Sequence, residues 1–224
     1  MRQIPLGLGP DEAPSFDNFL IGANQALVDQ LRGLQSQERP APAYLWGEQG
    51  AGKSHLLRAQ AYEVQAAGGR VGWFDASISA PREFDEAWRM VVLDDCDVYD
   101  AGQQHAAFGL FVQASTHGLL VAAAGALPPV DLPLRDDLRT RLGWGHVLHV
   151  MPLTESERRA VLRRDADRRG IILSDEVMSY LLTRFSRDLG SLIGLLDRLD
   201  RFALATHRAV TVPLLKQMLA EEGT

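Results

Sequence analysis

The residues Gly47-Glu48-Gln49-Gly50-Ala51-Gly52-Lys53-Ser54 fit the pattern G-x-x-x-x-G-K-[ST], and no other stretch of the chain constrains its fold so tightly. A loop of this kind works between a strand and a helix, where free backbone N–H groups and a helix N-terminus gather around one anion. The flanks agree. Ala43-Tyr44-Leu45-Trp46 is a short apolar run of strand length, and residues 54–67 carry Leu56, Leu57, Gln60, Ala61 and Val64 at helical spacing. Gly47, Gly50 and Gly52, with Ala51 between them, let the backbone wrap a phosphate chain without Cβ clashes. Lys53 is expected to reach the β- and γ-phosphates, Ser54 to ligate Mg2+, and His55 to lie beside the nucleotide. The loop predicts a bound nucleoside di- or triphosphate with Mg2+. It leaves open whether that nucleotide is a fuel, a switch or a permanent ligand.

Around the loop, strands and helices alternate. Strands are expected at 43–46, 70–75, 90–94, 119–124 and 146–150, with helices between most of them and one beforehand over about residues 24–35. This pattern predicts an α/β core whose five-stranded parallel sheet is covered on both faces. After Pro152 the pattern is helical only. Thr154-Glu155-Ser156-Glu157 is a capping box for a helix that Gly170 stops. Ser174 and Ser186 cap two more helices, and Pro213 starts a fourth. Leu189, Leu192, Ile193, Leu196, Leu199 and Phe202 form the apolar stripe of the third. The expected organisation is a Pro/Gly-rich leader over 1–15, an α/β core over 16–152 and a small all-helical lid over 153–224.

A second set of residues belongs with the loop. Met90-Val91-Val92-Leu93-Asp94-Asp95 is an apolar strand ending in two acids. In loop-type NTPases a strand-end carboxylate holds Mg2+, so Asp94 is the candidate metal ligand beside Ser54. Asp95 is placed either to orient or deprotonate an attacking water, or simply in an acidic turn with Asp97 and Asp100. Arg187 lies in the first turn of an expected helix, where a cation opposes the helix dipole unless an anion such as phosphate lies nearby; the alternative is a solvated surface arginine. Arg135, Arg139 and Arg141 precede the last strand of the core. From spacing alone, one of them is a finger for another subunit's γ-phosphate or all three form a solvated helix face. His146 and His149 have no metal-ligand company, Cys96 is expected in the packing, and the four tryptophans in the core or at its rim.

Bulk properties narrow the classes. The net charge is −6, with 11 basic and 18 acidic residues in 1–150 (−7) and 12 against 11 in 151–224 (+1), so no basic face suited to strong direct DNA binding is expected. No apolar run approaches the roughly 20 residues of a membrane span, and the N-terminus does not read as a secretory signal. A single cysteine forms no internal disulfide, and the expected location is cytoplasmic.

With these residues in hand, the chain resembles AAA+ proteins over about residues 14–220, within them the branch of the bacterial replication initiator DnaA. On that resemblance Phe16-Asp17-Asn18-Phe19, followed by Gly22 and Asn24, is the adenine-pocket motif, with Phe16 and Phe19 at the nucleotide. Asp94-Asp95 matches the Walker B ending. Asp137-Leu138-Arg139-Thr140-Arg141-Leu142 with Trp144-Gly145 resembles the Box VII segment, which makes Arg141 the arginine finger. Arg187 falls at the sensor 2 position.

On the same resemblance, a chain without the initiator's basic DNA-reading domain is expected. Gln3-Ile4-Pro5-Leu6-Gly7-Leu8 is similar to the hexapeptide that docks proteins on the replicative sliding clamp, with Gln3, Ile4, Leu6 and Leu8 as its contacts. The combination resembles the Hda-like regulatory inactivators of DnaA. That resemblance implies a resident nucleotide, ADP with ATP as the alternative, docking on the clamp, and an arginine finger offered to ATP-bound DnaA; a homo-oligomer is left open. Two departures stand out. The strand over 119–125 lacks the polar residue usual at sensor 1, which implies weak intrinsic hydrolysis, and the segment over 76–89 is short. Two further functions are carried forward: a helicase-loader-like motor ATPase, and a degenerate nucleotide-binding scaffold.

Overall fold

The computed structural model describes residues 13–35, 37–78, 83–185 and 189–222. Five strands, β1 (Ala43–Trp46), β2 (Arg70–Phe74), β3 (Trp88–Leu93), β4 (Leu120–Gly125) and β5 (His146–His149), form one sheet in the order β2-β3-β4-β1-β5. Every pairing is parallel. The strands therefore all end at the same edge, where α/β sheets bind ligands.

Helices α1 (Gln25–Leu34) and α2 (Lys53–Ala66) cover one face; α3 (Ala101–Thr116) and α4 (Asp136–Leu142) cover the other. The period-two alternation of the strands explains this. Leu45, Met90, Val92, Ala122 and Ala124 pack with Leu31, Leu56 and Leu57, while Tyr44, Val91, Leu93, Val121 and Ala123 pack with Leu110, Phe111 and Leu138. Both faces of β4, and of β3 from Met90 onward, are dry, so these stretches read as unbroken apolar runs. The connection from β2 to β3 contains no helix among its described residues, in keeping with the short segment noted in the sequence.

Chain contacts divide after Pro152, and the second compact unit begins at Leu153. Its helices α5 (Glu155–Arg168), α6 (Asp175–Arg184), α7 (Leu189–Thr206) and α8 (Val212–Glu222) enclose a core of their own, including Leu162, Met178, Leu181, Leu196, Leu199 and Leu215. The local signals act as expected. Thr154 N donates to Glu157 Oε2 at 2.7 Å and Glu157 N to Thr154 Oγ1 at 3.3 Å, closing the capping box. Gly170 adopts φ +72°, and Ile171 N turns back to the Ala166 carbonyl at 2.9 Å. Ser174 Oγ accepts from Val177 N at 3.3 Å. The cap expected at Ser186 lies outside the described residues. Arg169 ties α5 to α7 by reaching both Asp165 (2.9 Å) and Asp197 (2.8 Å).

Asn24 departs from the expected helix. It precedes α1 without capping it. Its side chain instead clasps the backbone at the end of the core, donating from Nδ2 to the Met151 carbonyl (2.9 Å) and accepting from Met151 N at Oδ1 (2.8 Å). Asn24 is buried, so its loss strands two backbone groups. Asn24→Ala is expected to destabilise the protein by about 1–3 kcal/mol, read as a lower midpoint in urea unfolding with the slope unchanged.

Candidate nucleotide-binding site

The β1 strand runs straight into the glycine loop, and crowding bears on two of that loop's glycines. Gly47 has φ +151° and Gly52 φ +100°, both in the range that disfavours a side chain. A Cβ on Gly47 would lie 2.5 Å from the Val150 carbonyl oxygen, and one on Gly52 would lie 2.7 Å from Phe19 Cε2. Gly50 also turns through positive φ, at +79°. The loop is thus gripped between the end of β5 and the 15–19 turn, leaving its remaining side free to hold an anion.

Lys53 opens α2 and is 8 % exposed. Its Nζ donates to the carbonyls of Gly47 (2.8 Å) and Glu48 (3.0 Å), which fixes the ammonium over the loop. Burial lowers its pKa, against the opposing pull of Asp95, Asp97 and Asp94. Ser54 Oγ donates to Asp94 Oδ1 at 3.1 Å. A hydroxyl and a carboxylate side by side are a suitable pair of hard oxygen ligands for Mg2+. Asp94 is buried directly after β3, and that burial, chiefly, raises its carboxyl above the ordinary range; the Ser54 bond works against the shift. A buried carboxylate without a cation is costly, and a bound Mg2+ would supply one. Tyr99 Oη lies 2.8 Å from the Asp94 carbonyl and 3.0 Å from that of Phe74, bracing the ends of β3 and β2. Neither brace was visible in the sequence motifs.

Asp95 is exposed and adopts φ 52°, ψ 45°, a left-handed conformation that costs a non-glycine residue about 1 kcal/mol or more. Its N–H donates to Asp94 Oδ1 at 3.1 Å. The strain turns the chain sharply off β3 and leaves the Asp95 carboxylate at the open edge.

Phe16 and Phe19 are buried in the core cluster beside the loop. Phe19 lies against Gly52 and 5.5 Å, ring to ring, from His55. His55 Nε2 donates to the Ser15 carbonyl at 3.0 Å, and burial lowers the His55 pKa, so the ring is neutral near pH 7. The 15–19 turn and the start of α2 are therefore one packed unit. Arg187, and the leader residues Gln3, Ile4, Leu6 and Leu8, lie outside the described residues.

The end of β4 explains its missing polar residue. A Cβ on Gly125 would meet Tyr44 Oη at 2.3 Å and Asp97 Oδ1 at 3.1 Å, so no side chain fits there. The Tyr44 hydroxyl donates to the Leu127 carbonyl at 2.7 Å. Cys96 is buried, as packing requires.

The three α4 arginines are not equivalent. Arg135 pairs with Asp137 and Arg139 with Asp136, each at 2.6 Å. Arg141 has no ion pair among the described residues. Its guanidinium instead lies 3.9 Å from the centroid of Trp144, which is 62 % exposed. Trp144 is thus a surface platform rather than a core residue.

A parallel sheet in this order, ending in a glycine loop and an acidic strand, defines the AAA+ class of phosphate-loop proteins, and the comparisons agree. The family described as Hda, lid domain, matches residues 155–219. An uncharacterised protein of Haemophilus influenzae is 32 % identical over 230 residues, covering 97 % of this chain and 98 % of its own length. Domain III of the Thermotoga maritima replication initiation protein DnaA superposes with a TM-score of 0.76 at 21 % identity, covering 96 % of this chain and 98 % of that one. AMPPCP-bound DnaA from Aquifex aeolicus gives 0.62 at 21 % identity, covering 82 % and 65 %. Residues 155–219 thus belong to the Hda lid-domain family, and the chain as a whole has the AAA+ fold of DnaA domain III.

The raised Asp94 carboxyl has a measurable consequence. Because its folded pKa lies above the unfolded one, the ionised group costs stability at neutral pH, and that cost disappears as pH falls below the ordinary carboxylate range. Asp94→Asn keeps an acceptor for Ser54 and Asp95 N while removing the charge. It is expected to raise the melting temperature of the nucleotide-free protein, in differential scanning fluorimetry at pH 7, and to abolish any Mg2+ enhancement of nucleotide binding.

Proposed function

We propose that this protein is a nucleotide-holding regulator of replication initiation that acts on a partner's nucleotide more than on its own. The glycine loop, Lys53, Ser54 and His55 hold the nucleotide, most favourably ADP, with Phe16 and Phe19 toward its base and Arg187 toward its phosphates. Ser54 and Asp94 hold Mg2+, and Asp95 lies where a water-directing carboxylate belongs. Gln3, Ile4, Leu6 and Leu8 dock the protein on the sliding clamp. Arg141 is then offered to ATP bound by DnaA. The family membership supports these assignments, and the AMPPCP in the Aquifex aeolicus DnaA structure supports nucleotide binding at a fold of this kind.

The observation that carries the proposal is the condition of Arg141. An arginine finger must be fixed in direction and not already neutralised. Stacking on Trp144 meets the first requirement and the lack of an acidic partner among the described residues meets the second. The crowded end of β4 supports weak hydrolysis at the protein's own loop. The intact Ser54–Asp94 pair favours a second reading, a loader-like motor, which would turn over ATP faster with single-stranded DNA or a helicase present.

A clamp-loaded DNA template with ATP-bound DnaA separates these functions. Arg141→Ala is expected to lower the stimulated hydrolysis by about 100-fold or more, while Arg139→Ala, already paired with Asp136, changes it by less than about threefold. Equal stimulation by Arg141→Ala and wild type would remove the finger assignment.

A further inference from the structure

Three carboxylates stand at the nucleotide edge, and only two have a role in the function above. The third is Asp97, half-buried in the short turn after β3. Its Oδ1 accepts from Ala126 N at 3.0 Å, which pins the carboxylate over the end of β4. The sheet register sets its surroundings. Gly125 pairs with Trp46, the last residue of β1, and the loop residue that follows is Gly47, whose carbonyl holds the Lys53 ammonium at 2.8 Å. On the other side, β4 pairs with β3, and Asp94 follows directly on β3. Asp97 thus lies between the metal-ligand carboxylate and the first glycine of the loop, within electrostatic reach of Lys53. Lys53 does not neutralise it by contact: the ammonium is bound to two loop carbonyls.

We propose that Asp97 is a specificity-determining residue: its fixed negative charge at the end of β4 disfavours a γ-phosphate, so that the loop prefers a nucleoside diphosphate over the triphosphate. The proposal rests on the nucleotide-binding reading of the glycine loop. A triphosphate adds one negative charge at the lysine end of the phosphate chain. Like charges in a half-buried, low-dielectric edge repel far more than in water. The Ala126 bond prevents the carboxylate from swinging away, and the packing of Gly125 leaves no room for a neutral polar side chain to take its place. The β-phosphate sits deeper in the glycine cradle and is common to both ligands, so the penalty falls on the triphosphate.

The charge can be removed without removing the contact. Asp97→Asn retains an oxygen acceptor for Ala126 N. Calorimetric titration of the nucleotide-stripped, full-length protein with ADP and with AMPPCP reads the ratio of the two affinities, which does not depend on the fraction of protein that is folded. Wild type is expected to prefer ADP. Asp97→Asn is expected to narrow that preference by about fivefold or more, through tighter AMPPCP binding. Asp97→Ala, which loses the contact as well, is expected to narrow it equally. A preference unchanged in Asp97→Asn, or both affinities falling together, would overturn the role of Asp97 while leaving nucleotide binding intact. Failure of wild type to bind either nucleotide would overturn the nucleotide reading itself, and this proposal with it.

Discussion

The parallel pairing of β1 with β4, and of β4 with β3, is the constraint on which the site depends. It brings the ends of three strands to one edge: the glycine loop from β1, Asp94 from β3 and the crowded Gly125 from β4. Ser54 meets Asp94 across 40 residues of sequence only because that pairing exists. The same edge explains why the loop glycines cannot be replaced. Gly47 is pressed by the end of β5 and Gly52 by Phe19, so the loop is shaped by its neighbours as much as by its own composition. Burial of both sheet faces anchors the edge and makes Lys53 and Asp94 electrostatically expensive unless a ligand of the opposite sign arrives.

Local features were readable from the chain alone. The loop with its flanking strand and helix, the capping box at Thr154, the Gly170 stop and the apolar strands each depend on residues a few positions apart. What escaped was contact at a distance. The Asn24 clasp on Met151 spans 127 residues, and nothing near Asn24 distinguishes it from an ordinary helix start. The same holds for Tyr44 filling the space at Gly125. Arg141 is the most instructive case. Asp137 stands four residues before it, the spacing of a helical ion pair, yet Asp137 pairs with Arg135 and leaves Arg141 to Trp144. Spacing alone left the three arginines equal; geometry separates them.

These features point to a division of labour. The loop, Lys53 and the Ser54–Asp94 pair are equipped to hold a nucleotide. β4, whose end is filled by Tyr44 and Asp97, carries no polar side chain of its own to position a water, whereas Arg141 on α4 is stacked on Trp144 and has no ion pair among the described residues. Under the proposed function, the nucleotide is a structural ligand and the Arg141 cation serves chemistry elsewhere.

Following the fate of ATP on each protein tests that division most directly. ATP labelled at the γ-phosphate is loaded either onto this protein or onto DnaA, the two are mixed on clamp-loaded DNA, and labelled phosphate release is followed over one turnover. The account predicts rapid release when the label starts on DnaA and little when it starts on this protein. Rapid release from label on this protein, with none from label on DnaA, would contradict it.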